Sequence, residues 1–254
     1  MASVIQFVGA GPGDPELITV KGKRLLEAAD VIVYAGSLVN PALLGYAKEG
    51  AEIFNSASMT LQEVLDVMVP AAQAGRAVVR LHTGDPSIYG AIQEQMDALD
   101  GVGVSYEVVP GVSSFLATAA ALKQEYTLPD VSQTVIVTRM EGRTPVPPKE
   151  KLASLASHQA TMCIFLSVHM IQDVVDELLA GGYTPETPIA VVQRASWPDQ
   201  RILRGRLKDI AAKAAEEGVD RTAMIVVGHC LDKEYELSRL YAPEFGHMFR
   251  EAKK

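Results

Sequence analysis

Short β-branched runs, each ending near glycine, proline or aspartate and each followed by a longer helix-patterned stretch, recur through the first half of the chain. No other feature restricts the fold as much, because a strand that returns through a helix comes back parallel to its predecessor. Val4 to Val8 reads as a strand, and Asp14-Pro15 as an N-cap with proline at the first helical position, opening a helix through Ala29. Val31 to Tyr34 is a second strand. Thr60 to Glu63 has capping-box spacing and opens a helix towards Ala74. A strand at Ala77 to Leu81, a helix at Ile88 to Leu99, a strand at Tyr106 to Val109 and an alanine-rich helix at Ser113 to Leu122 complete the series.

The second half has strand patterns at Thr134 to Thr138, Thr161 to Leu166, Ile189 to Gln193, Ile202 to Gly205 and Ala223 to Val227, with helical patterns at Lys149 to Ala156, Met170 to Ala180 and Leu207 to Glu217. The close pair joined through Trp197-Pro198-Asp199 reads as a hairpin, so this sheet is mixed. The expected architecture is therefore α/β with two α/β domains, 1–122 with a mostly parallel sheet and 131–254 with a mixed one. The polar stretch Lys123 to Asp130 would link them, and the charged segment Lys233 to Lys254 would form a tail.

At 48% hydrophobic and 21% charged residues, the chain is not a disordered one. A net charge of −8 argues against a generic nucleic-acid surface. No run approaches the roughly 18–20 apolar residues of a membrane span, and the N-terminus lacks the basic region of a signal peptide. Cys163 and Cys230 lie far apart in apolar runs, as buried thiols in a reducing, cytoplasmic setting do. Neither the histidines nor the cysteines have metal-ligand spacing, and no Gly-x-Ser-x-Gly elbow is present, so neither a metal nor a protein nucleophile is expected.

Chemistry concentrates in turns that follow strands. Gly9-Ala10-Gly11-Pro12-Gly13-Asp14 superficially matches a dinucleotide fingerprint, but its sixth residue is an acid and Pro12 removes an amide from any phosphate cradle. A different small ligand or a purely structural turn remain as readings. His82-Thr83-Gly84-Asp85-Pro86-Ser87-Ile88-Tyr89-Gly90 and Pro110-Gly111-Val112-Ser113-Ser114 take the same place after later strands. Asp85 either meets a ligand or caps a helix, Ser113 and Ser114 have the same two readings, and His82 either orients a substrate or is inert. None of the three loops is basic, which favours a neutral or zwitterionic ligand, such as one bearing an ammonium and a sulfonium, over a polyphosphate.

In their order, GAGPGDP (Gly9 to Pro15), HTGDPSIYG (His82 to Gly90), VPGVSS (Val109 to Ser114) and QRASWPD (Gln193 to Asp199) resemble the tetrapyrrole methylases of corrin and sirohaem biosynthesis. The resemblance extends from about Ile5 to Asp232. DVIVYAGSLVNP (Asp30 to Pro41), TRMEGRTPVP (Thr138 to Pro147) and ASWPD (Ala195 to Asp199) are most similar to the branch that methylates C11 of precorrin-4 or its cobalt form. It implies two α/β domains, a homodimer, and S-adenosylmethionine held in a cleft and leaving as S-adenosylhomocysteine. By position, Pro12, Thr83, Gly84, Asp85, Ile88, Ser113 and Ser114 would contact this donor, Ser113 standing where the family commonly has threonine. Leu166, where a sister branch has methionine, would join Ala195, Ala223 and Met224 in completing the pocket. A polycarboxylate tetrapyrrole would meet Lys21, Arg80, Arg139, Arg143 and Arg194, with Tyr34 and Tyr89 against the macrocycle. No catalytic residue is firmly implied, Tyr89 and His82 being the candidates. Methylation at another ring position, or non-catalytic tetrapyrrole binding, are the competing expectations.

Overall fold

The computed structural model describes residues 2–232, 235–238 and 242–252, so the expected tail lies partly outside the described residues. The chain divides into two compact units, 1–118 with 194–200, and 119–193 with 201–254.

The first unit holds β1 (Ile5–Gly9), α1 (Val20–Ala28), β2 (Val31–Tyr34), β3 (Glu52–Asn55), α2 (Leu61–Gln73), β4 (Val78–His82), α3 (Gln93–Gly101) and β5 (Tyr106–Val109). Its sheet runs β3-β2-β4-β1-β5, and every pairing is parallel. Period-2 alternation sorts its side chains. Ile5, Phe7, Val31, Val33 and Val78 face Val64, Leu65 and Met68 of α2 and Leu99 of α3. Val8, Ile32, Val79 and Leu81 face Leu26 of α1 and the turn carrying Leu43.

Three stretches depart from the expected pattern. Asp14 caps only a single 3-10 turn, Pro15–Leu17; Ile18 is extended and buried, and Thr19 restarts the helix by accepting a hydrogen bond from the Gly22 amide at 3.0 Å. The expected helix from Ile88 begins at Gln93 instead, because Tyr89 and Ala91 have φ of 55° and 48° and Gly90 lies so close to the Pro86 carbonyl that a Cβ would overlap it. β3 is an edge strand with only Phe54 partly buried, too exposed to leave an alternating signature. The capping box at Thr60 and Glu63 forms as its spacing predicts.

In the second unit the sheet order is β6-β7-β10-β8-β9. β6 (Val135–Arg139) and β7 (Thr161–Phe165) pair in parallel, whereas β10 (Ala223–Val227) runs antiparallel to β7 and β8 (Pro188–Gln193), and β8 antiparallel to β9 (Arg201–Arg206). The β8–β9 hairpin makes this sheet mixed, as its sequence spacing predicts. Met162, Ile164, Ile189, Val191, Ile225 and Val227 form the core under α5 (Leu152–Ala156), α6 (Ile171–Ala180) and α7 (Ile210–Glu216). The boundary between the units falls inside α4 (Ser114–Leu122). Among the described residues no helix is long and apolar enough to cross a membrane.

Candidate functional site

Strand order brings the three glycine-containing loops together. β1 lies between β4 and β5, so the turns after Gly9, His82 and Val109 emerge side by side at the carboxyl end of the first sheet, the ordinary ligand position in an open parallel sheet.

Backbone contacts fasten them. Gly11 and Gly84 exchange hydrogen bonds of 3.2 and 2.9 Å, and the Ala10 amide donates to the His82 carbonyl at 2.6 Å. A Cβ on Gly9 would come within 2.6 Å of Gly111 Cα, and one on Gly111 within 2.8 Å of Gly9 Cα, so only glycine permits this approach. Asp85 accepts from the Ser87 amide at 2.8 Å through Oδ1 and from the Gly111 amide at 2.9 Å through Oδ2, tying the β4 loop to the β5 loop. Thr83 Oγ1 donates to the Leu38 carbonyl at 2.8 Å.

The loop Arg194–Gln200 belongs to this unit although its neighbours in sequence do not. The Trp197 indole donates to the Pro12 carbonyl at 3.0 Å, and the Asp14 amide donates to Ser196 Oγ at 3.0 Å. Arg194 stacks on the indole with its guanidinium carbon 3.9 Å from the ring centroid, and its Nε pairs with Asp199 at 2.7 Å. Asn40 Nδ2 donates to the Gly13 carbonyl at 2.7 Å. Asn40, Ser196 and Trp197 escaped the sequence reading as site residues. Their signals were a lone tryptophan between an arginine and an aspartate, and an asparagine before a proline.

Pro12, Thr83, Gly84, Asp85, Ser113, Ser114 and Ala195 thus gather around one set of strand ends, with Ile88 and Tyr89 on the exposed arc of the β4 loop. Two other expected residues lie in the interior. Arg80 points from the middle of β4 and is 5% exposed, its guanidinium donating to Gln95 Oε1 at 3.0 Å and the Val33 carbonyl at 3.1 Å; burial lowers its pKa to about 10, so it stays charged. His82 is the last residue of β4 rather than a loop residue, buried and stacked against Phe7. Burial, reinforced by the Arg80 charge, lowers its pKa to about 3, so it is neutral at physiological pH.

Lys21 on α1 is exposed and pairs with Glu107 at 3.3 Å, and Tyr34 ends β2 half-buried. In the second unit, the Ile225↔Ile164 register sets Ala223 and Met224 at the same sheet end as Leu166, an exposed leucine with φ of 55°. Arg139 donates to the Met140, Thr144 and Pro145 carbonyls, and Arg143 is exposed in that loop.

Comparison with known proteins gives this arrangement a context. Residues 4–211 match the family model described as Tetrapyrrole (Corrin/Porphyrin) Methylases. The chain is 62% identical over 249 residues to a cobalt-precorrin-4 C(11)-methyltransferase of Methanocaldococcus jannaschii, covering 98% of this chain and 96% of that protein. It is 48% identical over 247 residues to a precorrin-4 C(11)-methyltransferase of Pseudomonas aeruginosa, covering 97% of this chain and 98% of that one. The X-ray structure of a cobalt precorrin-4 methyltransferase superposes with a TM-score of 0.88 at 49% identity, covering 90% of this chain and 95% of the other. A uroporphyrin-III C-methyltransferase from Thermus thermophilus, complexed with S-adenosylhomocysteine, gives 0.76 at 30% identity, covering 92% and 96%. Joined glycine loops at the ends of a parallel sheet, similarity along nearly the whole chain and a matching fold lead to one conclusion: this chain belongs to the tetrapyrrole methylase family and is a methyltransferase.

Proposed function

We propose that the protein transfers a methyl group from S-adenosylmethionine to C11 of precorrin-4, or of its cobalt form, in cobalamin biosynthesis. The observation that carries this reading is the 62% identity, over 98% of the chain, to a protein named for that reaction.

The loop chemistry suits the donor. Residues 9–14, 82–90 and 109–114 include no lysine or arginine, and His82 is neutral, so nothing there opposes a sulfonium. When bound, S-adenosylmethionine supplies a methyl group on positively charged sulfur. Pro12, Thr83, Gly84, Ile88, Ser113 and Ser114 would hold it at the strand ends of the first unit. Asp85 acts mainly by fastening Gly111. An electron-rich ring carbon of the substrate would be the acceptor of that methyl, so the reaction asks for no attacking group from the protein. No protein nucleophile takes part, so the chain's work is alignment and exclusion of water.

Arg139, Arg143 and Arg194 receive the substrate carboxylates, and Tyr89 packs on the macrocycle. Buried Arg80 braces the strand instead. Family resemblance supports a homodimer, which light scattering checks, and the buried thiols suit a cytoplasmic setting.

Titration calorimetry with S-adenosylhomocysteine tests the donor, and near-stoichiometric uptake is expected. Incubation with precorrin-4 and methyl-labelled S-adenosylmethionine, read by NMR, tests the product. Label on another ring carbon moves the protein to a different step, and pigment binding without transfer makes it a carrier.

A further inference from the structure

Three consecutive residues of the first loop have backbone groups satisfied by side chains from elsewhere in the unit. The Pro12 carbonyl accepts from Trp197, the Gly13 carbonyl from Asn40, and the Asp14 amide donates to Ser196. Over Gly13 the indole lies so close that any Cβ would overlap it, so the ring replaces a side chain on that turn. Behind the indole, the stacked Arg194 is held by Asp199, and the Ser196 amide donates to Gln200 Oε1 at 2.8 Å. Arg194 and Ser196 have φ of 49° and 69°, sparsely populated values for residues with side chains. Such strain persists only where surroundings over-determine it, and it clusters where geometry matters for function. On its other side the same turn exchanges hydrogen bonds with Gly84.

We propose that Trp197 and Asn40 are positioning residues for the methyl donor: together they clasp Pro12-Gly13-Asp14 into the one shape that the donor site requires. The inference rests on the functional reading above. Neither residue is asked to touch the donor; both act through the turn, which loose side chains would leave sampling several conformations before each binding event. Preorganisation of this kind appears as affinity, because the ordering cost is no longer met on binding.

Two conservative variants separate this from simple stabilisation. Trp197→Phe keeps an aromatic ring over Gly13 and removes the N–H. Asn40→Asp keeps the Oδ1 acceptor for the Ala42 amide, at 3.0 Å, and replaces the donor to Gly13 by an oxygen. Wild-type and variant proteins are titrated with S-adenosylhomocysteine well below their melting temperatures, and donor KM and kcat are measured separately. The expected result is roughly tenfold weaker binding for each variant, the fold-change of one lost hydrogen bond. Donor KM rises in step, while kcat at saturating donor and the tetrapyrrole KM stay within about twofold. If wild type binds and both variants bind equally well, the clasp is structural only and the proposal falls while the functional reading stands. Wild type that binds no S-adenosylhomocysteine overturns both. Should Trp197→Phe fail to fold, Asn40→Asp alone decides, since its local cap is preserved.

Discussion

Asp85 joins two loops through two backbone amides, and its removal gives a prediction whose size follows from that geometry. The bond to the Ser87 amide closes a two-residue turn, and water replaces it readily. The bond to the Gly111 amide spans 26 residues and is part-buried, so its loss leaves an amide with no substitute at hand. With a carboxyl acceptor and partial exposure, the local bond contributes about 0.5–1 kcal/mol and the cross-loop bond about 1.5–2, so Asp85→Ala should cost about 2–3 kcal/mol. Asp85→Asn, which keeps one acceptor oxygen and turns an NH2 towards the second amide, should cost about 1–2 kcal/mol. The sequence holds a single tryptophan, Trp197, and it lies in the first unit, so its fluorescence during urea unfolding reports on that unit. With a urea slope of about 2–3 kcal/mol/M, the Asp85→Ala midpoint should fall by about 1 M. A shift below about 0.3 M, together with a large loss of S-adenosylhomocysteine affinity, would refute the fastening role and make Asp85 a ligand contact.

His82 adds a pH dependence of fixed sign. Its folded pKa of about 3 lies below the ordinary value of 6.5, so as pH falls through 6.5 the unfolded chain takes up a proton that the folded chain refuses. Stability is fully present above that pH and falls by up to about 1.4 kcal/mol per unit below it; urea melts at pH 7.0 and 5.5 should show this loss in wild type and a smaller one in His82→Gln. Both cysteines are fully buried, with burial raising Cys163 to about 12 and Cys230 in the same direction, so a thiol reagent at pH 8 should label neither until denaturant is added; rapid labelling of native protein would contradict that packing. Gly111→Ala should destabilise the first unit by about 1–3 kcal/mol, because its Cβ meets Gly9 and the Gly84 carbonyl with no flexible side chain to yield, and an unchanged urea midpoint would show that the loops separate easily.

Residue pattern reveals every strand except the exposed edge strand β3, but not the order in which they pair. Alternation marks Ile5–Gly9, Val78–His82 and Tyr106–Val109 one by one, whereas the placing of β1 between β4 and β5 depends on long-range pairing that no local run encodes. That the three loops form one site therefore rested on their common chemistry and on family resemblance. The Asp85-Pro86 pair reads as a helix start, and the carboxylate does engage an amide two residues on, yet left-handed Tyr89 and Ala91 postpone the helix to Gln93. Arg80, near the end of a predicted strand, and His82, at the head of the loop with Thr-Gly-Asp-Pro, both read from sequence as site candidates. Their even spacing along β4 turns both inward, where Gln95 and Phe7 meet them. Trp197 was legible as part of a motif, but its packing on Gly13 joins residues 184 positions apart and has no signature in either segment.

That distance along the chain bears on how the molecule is made. The first unit takes seven of its residues from a loop synthesised long after its own sheet, so when β1 to β5 have emerged the turn at Gly13 has its Asn40 bond within reach but still lacks its tryptophan cover. Only when residue 200 has cleared the ribosome does the indole arrive to cover it. A gene cut after α4 would encode a sheet with all its strands and an unfinished rim, and a nascent chain stalled anywhere before that point is incomplete in the same place.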